Sequence, residues 1–276
     1  MTILDKIITQ KRIEVAEQKV QMPASVLRQS PDFSRVVNSA RAAICADTST
    51  GIIAEFKRKS PSKGIINDRV TIAETTAAYV LAGASCLSVL TDEPFFGGTP
   101  ADLQAARQAN LTTPILRKDF VIDEYQLLEA RAWGADFVLL IAACLSPDQV
   151  KTLSQTAHDL GMEVLLEVHD EVELAHLCDT VDLVGVNNRN LKTFVTSIET
   201  SLRLVEQIPA TFVRITESGL HDAATMQLLR DVGYDGFLIG EAFMKTAAPG
   251  HALAELVQNF GAKQLIHHSV MAPTHG

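Results

Sequence analysis

Cysteine is scarce in this chain: four residues in 276, Cys45, Cys86, Cys144 and Cys178, widely spaced and without a Cys-x-x-Cys pair. The scarcity argues against a disulfide-stapled framework and fits reduced thiols in a cytoplasmic protein. Cys86 and Cys144 lie in apolar runs and read as inert core residues. Positive charge is in deficit, with 24 Lys and Arg against 33 Asp and Glu and a formal net charge of -9. That balance argues against nonspecific nucleic-acid binding, which needs a basic face, but leaves room for a local positive pocket that takes a small anion. No apolar run is long enough to cross a bilayer, so no membrane span is expected. A signal-peptide core is also missing, because Asp5, Lys6, Lys11, Arg12 and Glu14 interrupt the N-terminal apolar residues. There is no dinucleotide or Walker glycine motif, and His158, His169 and His176 lack metal-ligand spacing. Ser60, Ser88 and Ser218 have no neighbouring His or nucleophile elbow. What is present is an ordinary globular composition, 47% apolar and 21% charged.

Along the chain, Ile3, Leu4, Ile7, Ile8, Val15 and Val20 recur among charges, which predicts an amphipathic helix over 3–20. A second helix is expected over 34–46, so residues 1–50 form a helical extension ahead of the main fold. From there, apolar strand-like runs begin near Gly51, Cys86, Thr113, Phe137, Glu163, Leu183, Thr211 and Gly236, one every 20–35 residues. Amphipathic stretches fill the intervals, several ending at Gly83, Gly134, Gly161 or Gly233, where a helix must turn into the next strand. Eight βα units are the count for a closed parallel barrel, so the expected fold is α/β, a single-domain (β/α)8 TIM barrel with an N-terminal helical extension. A doubly wound open sheet is the competing architecture, but it would show fewer strands and a Gly-rich turn after the first. Residues 262–276, with His267, His268 and His275, read as a mobile polar tail.

In such a barrel the chemistry sits at the C-terminal ends of the strands. Seven of the eight runs end in polar residues: Glu55 and Lys57, Thr91-Asp92-Glu93, Arg117-Lys118-Asp119, Glu167 and His169, Asn187 to Arg189, Glu217-Ser218-Gly219, and Gly240-Glu241. The fourth, Phe137 to Ala143, ends apolar and could offer a wall for a flat ring. Residues two apart share a strand face, which pairs Glu55 with Lys57 as an ion pair or an acid/base couple. Two lysines, Lys57 and Lys118, and three glutamates, Glu55, Glu167 and Glu217, then point inward. A lysine beside another cation in a poorly solvated pocket has its pKa lowered, which makes either lysine a usable general acid near neutral pH; a glutamate in an apolar setting has its pKa raised. The mixture suits proton transfers at carbon or at a hydroxyl. Ser218, Gly219 and Gly240 leave backbone N-H groups open to approach after strands seven and eight, the usual place for phosphate in barrels. Phe95, Phe96 and Phe120 belong either to the core or to the pocket.

The motifs AEFKRKSPSKG, SVLTDEPFFGG, PILRKDF, LLEVHDEVEL, GVNNRNLKTF, TESG and FLIGEAFM, in that order, closely resemble the indole-3-glycerol phosphate synthase family. The resemblance covers the chain to about Leu256. It implies ring closure of 1-(2-carboxyphenylamino)-1-deoxyribulose 5-phosphate, with loss of carbon dioxide and water, to indole-3-glycerol phosphate in tryptophan biosynthesis. It implies no cofactor and no metal; the partner is a small phosphorylated substrate, and a monomer is expected. By motif, Lys118 resembles the family's general acid, Glu167 its acid/base partner in dehydration, and Glu55 with Lys57 a second catalytic pair. Asn187 and Arg189 resemble substrate-orienting residues. Lys59, Ser60, Glu217, Ser218, Gly219, Gly240 and Glu241 resemble the substrate and phosphate shell, while Phe96, Phe120 and Leu139 or Leu140 would pack the aromatic ring. The segment 195–198 is less acidic than the family pattern, and Pro94 replaces a more usual polar residue; neither touches a catalytic position. Two other functions compete. A phosphoribosylanthranilate isomerase would need a Cys and Asp pair at early strand ends, where Glu55 and Lys57 stand instead, and a silent barrel would bind a phosphorylated metabolite without turnover.

Overall fold

The computed structural model describes residues 2–191 and 193–270. Eight parallel strands close into a barrel: β1 Ile52–Phe56, β2 Cys86–Leu90, β3 Ile115–Lys118, β4 Phe137–Ile141, β5 Glu163–Val168, β6 Leu183–Asn187, β7 Val213–Glu217 and β8 Gly236–Ile239. Each pairs with its neighbours in the chain, and β1 closes the ring on β8 through Ile52 with Phe237, Ile53 with Leu238 and Ala54 with Ile239. The TIM-barrel expectation is therefore met. Only the starts expected at Gly51, Thr113 and Thr211 fall a residue or two early.

The helices outside the barrel begin where their caps dictate. Thr99 and Ser146 each accept a backbone N-H from the residue three ahead, whose side chain returns the bond, and each is followed by a proline at the first helical position. Helices Pro100–Ala109 and Pro147–Asp159 result. Two of the intervals between strands hold weaker helices than the rest: the one after β5 yields only a 3-10 turn, Val172–His176, and the one after β6 splits into Glu199–Leu204 and a 3-10 turn. The helix expected over 34–46 shrinks to Ala40–Cys45. Ahead of it the chain is stretched, because Arg35 Nη2 and the Asn38 N-H both bind Asp136 Oδ1 at 2.8 Å while Ser39 and the Arg41 N-H bind Glu163. Those tertiary bonds outweigh the local helical pattern.

Alternate strand residues face the barrel axis. The lower layers are apolar: Ile53, Leu116, Phe137, Leu165, Leu183, Val213 and Ile215 pack with Ala40 and Ile44 of the short helix, which forms the floor. Two residues further along the same faces, Ile53 gives way to Glu55, Leu116 to Lys118, Leu165 to Glu167 and Ile215 to Glu217. A dry core below thus turns into a charged site above, at the end where barrel chemistry resides.

The N-terminal helix α1, Ile3–Gln21, starts in a capping box between Thr2 and Asp5 and buries Ile7, Lys11 and Val15, a stripe four residues apart. Ile3, Leu4 and Ile7 form one wall of the cavity above the strand ends. Lys11 is only 4% exposed, and its Nζ lies 2.7 Å from Glu14, 3.0 Å from Asp92 and 3.0 Å from Asp119. Burial works against its charge, but Asp119, Asp92 and Glu14 outweigh that and raise its pKa. The last helix runs Pro249–Val270; the remainder of the expected tail, 271–276, lies outside the described residues. Among the described residues no helix is long and apolar enough to cross a membrane.

Candidate active site

The strand ends enclose a cavity of about 530 Å³, within the range of small-ligand sites. Lys118 ends β3 at its centre. Its Nζ lies 3.1 Å from Glu167 Oε2 on β5 and 3.4 Å from Glu217 Oε2 on β7. On β1, Lys57 Nζ donates to Glu55 Oε1 at 2.5 Å, the pairing expected from their shared face. The three glutamates are 2–3% exposed.

This crowd of carboxylates corrects the expectation for Lys118. Burial pulls its pKa down, yet Glu167, Glu217 and Glu55 pull harder the other way, so it is raised and the side chain is held as the ammonium. Lys57 does not act as the second cation that would depress it, because Lys57 is neutralised by Glu55.

The two carboxylates beside Lys118 differ sharply. Burial disfavours the charge on Glu167, but Lys118, His169 and the Asn187 Nδ2 at 3.1 Å from Oε1 hold it well below the usual carboxylate range. Glu217 is pushed up to about 7 by burial, with Glu167 and Glu55 adding repulsion that Lys118 only partly offsets. Its Oε1 is buried with no hydrogen-bond partner among the described residues. Gly185 makes the room for it: a Cβ there would lie 2.4 Å from that oxygen.

Around the charged centre the walls divide by chemistry. Phe96 and Phe120, ring centroids 6.0 Å apart, stand with Leu139 and Ile141 on one side, so the apolar end of β4 does form a wall. Leu140 packs outward against the helices. Opposite, Ser60, Ser218, Gly219, Gly240 and Glu241 line the cavity. Ser218 adopts a left-handed backbone (φ 69°), rare for a residue with a Cβ, and Gly219 follows at 77°. A Cβ on Gly240 would lie 2.6 Å from Glu55 Oε1, so glycine there lets β8 pack against the β1 carboxylate.

Arg189 also lines the cavity, with one guanidinium nitrogen 3.1 Å from Ser62 Oγ and the other 3.3 Å from Glu241 Oε2, and its N-H donates to Asn187 Oδ1 at 3.0 Å. Lys59, placed among substrate ligands by its motif, instead donates to Pro94 O at 2.9 Å and lies along Gly97. Among the described residues no cluster of His, Cys, Asp or Glu is arranged to hold a metal.

Some supporting residues went unrecognised in the sequence. Lys11 was one more charge in an amphipathic helix, although its place between Ile7 and Val15 on the buried stripe was a readable sign. Asp92 anchors Lys11 and caps the turn Glu93–Phe96 that carries Phe96. Gly185 and Glu173 carried no local sign at all.

A family model described as indole-3-glycerol phosphate synthase matches residues 4–256. The indole-3-glycerol phosphate synthase of Bacteroides thetaiotaomicron is 48% identical over 258 residues, covering 94% of this chain and 97% of its own. That of Burkholderia vietnamiensis is 45% identical, covering 92% and 98%. Among solved structures, 3-hexulose-6-phosphate synthase from Salmonella typhimurium matches with a TM-score of 0.61 at 13% identity, over 77% of this chain and 99% of that one. The tryptophan synthase alpha subunit from Legionella pneumophila matches at 0.58 and 13%, over 83% and 97%. At such identity the structural likeness speaks for the barrel alone. The family match spans every strand end that builds the cavity, and this chain belongs to the indole-3-glycerol phosphate synthase family.

Proposed function

We propose that this cavity closes the indole ring of 1-(2-carboxyphenylamino)-1-deoxyribulose 5-phosphate, releasing carbon dioxide and water, with Lys118 as the general acid. The observation that carries the assignment of Lys118 is its setting: a partly buried ammonium flanked by Glu167 and Glu217, between an apolar wall and a wall of small residues. The aryl end of the substrate fits against Phe96, Phe120 and Leu139. Its phosphate fits Ser218, Gly219 and Gly240, where backbone N-H groups can be approached closely, with the N-H of Glu241 beside them. The Glu241 carboxylate stays tied to Arg189 and to Lys63, 3.6 Å away.

The chemistry follows from charge. As the ring carbon bearing the carboxylate attacks the ketone carbon, negative charge grows on the ketone oxygen, and a preorganised cation stabilises it where it forms. Lys118 gives its proton to that oxygen, leaving a hydroxyl. Breaking the bond to the carboxylate returns an electron pair to the ring and restores aromaticity. The hydroxyl then leaves as water with a proton from an acid, while a base removes a proton from the neighbouring carbon. Glu167, expected as acid/base partner in this step, is held ionised and suits the base, whereas Glu217, titrating near 7, suits the proton carrier. Glu55 with Lys57 completes the polar floor, Asn187 steadies Glu167, and Arg189 with Ser60 orients the substrate's oxygens. The working unit proposed for this chemistry is a monomer.

The test is turnover of the carboxyphenylamino substrate to an indole product, followed by fluorescence, in wild type and Lys118→Ala. Wild type should make the indole, and the variant should lose turnover by at least about a hundredfold while still binding substrate. A wild type that makes no indole, or a variant that turns over normally, would sink the assignment.

A further inference from the structure

His169 stands two residues past Glu167, where β5 leaves the barrel, and its side chain is held between two carboxylates. Nε2 lies 3.2 Å from Glu167 Oε1, and Nδ1 lies 3.1 Å from Glu173 Oε2. The Glu167 contact is off the hydrogen-bond axis and so acts through charge. Glu173, on the turn Val172–His176, also accepts the His169 backbone N-H at 2.7 Å, which fixes the pair to each other. A neutral imidazole carries a single N-H, so one of its nitrogens would turn a lone pair toward a carboxylate at close range. Both contacts are favourable only for the doubly protonated ring.

Glu167 and Glu217 approach Lys118 from two sides at similar distance, yet among the described residues only the Glu167 side chain has further partners, His169 and Asn187. We propose that His169 is a positioning residue: a protonated imidazole that keeps Glu167 ionised with Oε2 turned to Lys118, so that the mobile proton of the pair resides on Glu217. The proposal rests on the lyase reading of the cavity. It makes Glu173, His169, Glu167 and Lys118 a row of alternating charge that leads from the barrel rim to the reacting centre. The other charges facing this row from the adjoining cleft are Asp5 of α1, Asp170, Arg189 and Arg203. Burial disfavours the charged ring, but the close carboxylates of Glu167 and Glu173 outweigh it and push His169 up to about 10.

The ring itself can be read directly by NMR titration of labelled histidine in the full chain. His169 should stay doubly protonated through neutral pH, and Glu173→Gln should bring its titration down. In kinetics, His169→Gln should lower kcat about tenfold, leave KM within about twofold, and move the acidic limb of the kcat profile upward by about one pH unit, because Glu167 then protonates more easily. Glu173→Gln should move that limb in the same direction by less. A neutral ring at neutral pH, or a folded His169→Gln enzyme with wild-type kcat and pH profile, overturns the proposal. If His169→Gln does not fold, the wild-type ring titration and Glu173→Gln decide. A wild type that makes no indole counts against the lyase reading alone, and the ring titration still decides the state of His169.

Discussion

Lys11 of α1 lies 3.0 Å from Asp119, the residue that follows Lys118 in the chain. The same ammonium reaches Asp92, which caps the turn carrying Phe96. One buried cation therefore ties the N-terminal helix to the strand end that bears the candidate acid and to the aromatic wall.

Replacing Lys11 with Met keeps the length of the side chain and removes its charge. Asp92 and Asp119 are then left buried near each other without their shared partner, which costs about 3–5 kcal/mol. Urea unfolding should show a loss of this size, and kcat should fall as the β3 end loosens. A Lys11→Met protein as stable as wild type would show that Arg117, 3.0 Å from Asp119, satisfies that aspartate unaided.

Glu217 links stability to pH. Its carboxyl is raised from 4.5 to about 7, so the stability belonging to its protonated form is present in full below about 4.5 and is lost as pH rises through about 7. Gln cannot ionise and escapes that loss. The melting temperature of Glu217→Gln, relative to wild type, should therefore climb by a few degrees, roughly, between mildly acidic and mildly alkaline buffer, while kcat drops by about a hundredfold or more. A difference in melting temperature that stays constant with pH would remove Glu217 as the group titrating there.

Gly185→Ala tests the space beside that carboxylate. The added methyl would sit 2.4 Å from Glu217 Oε1 and must displace it. The expected result is a folded barrel by circular dichroism with kcat reduced about tenfold or more, since misplacement by about an ångström is costly to catalysis. Unchanged kcat would mean that Glu217 has room to move without consequence.

Shortening the apolar wall should separate binding from chemistry. Phe120→Ala removes the partner of Phe96 and part of the surface proposed for the aryl group. KM should rise about tenfold or more, a loss of 1.4 kcal/mol or more in binding, with kcat less affected. Isothermal titration with a substrate analogue would check the same loss directly.

The barrel was legible because most strands carry their own signal: an apolar run, in seven of eight a polar end, and usually a helical stretch after it. The candidate site was legible for a related reason, since period-two alternation already put Glu55 with Lys57 on one face. What alternation cannot convey is who meets whom across the barrel. Lys118 was expected beside Lys57, but the closed sheet brings Glu167 and Glu217 to it and reverses the sign of its pKa shift. The stretch 35–39 failed similarly: its residues suit a helix, and tertiary partners about a hundred residues later, Asp136 and Glu163 among them, pull it straight.

The short helix Ala40–Cys45 plugs the lower end of the barrel with Ala40 and Ile44, so traffic passes on the α1 side. A single substrate enters there and three products must leave, one of them a gas. Carbon dioxide and water are small enough to leave while the indole is still seated, whereas the indole itself occupies most of the cavity's length. Size thus orders the departures, gas first, water next and the indole last. Product-inhibition kinetics should show the indole product competing with substrate for the empty enzyme, and bicarbonate failing to do so.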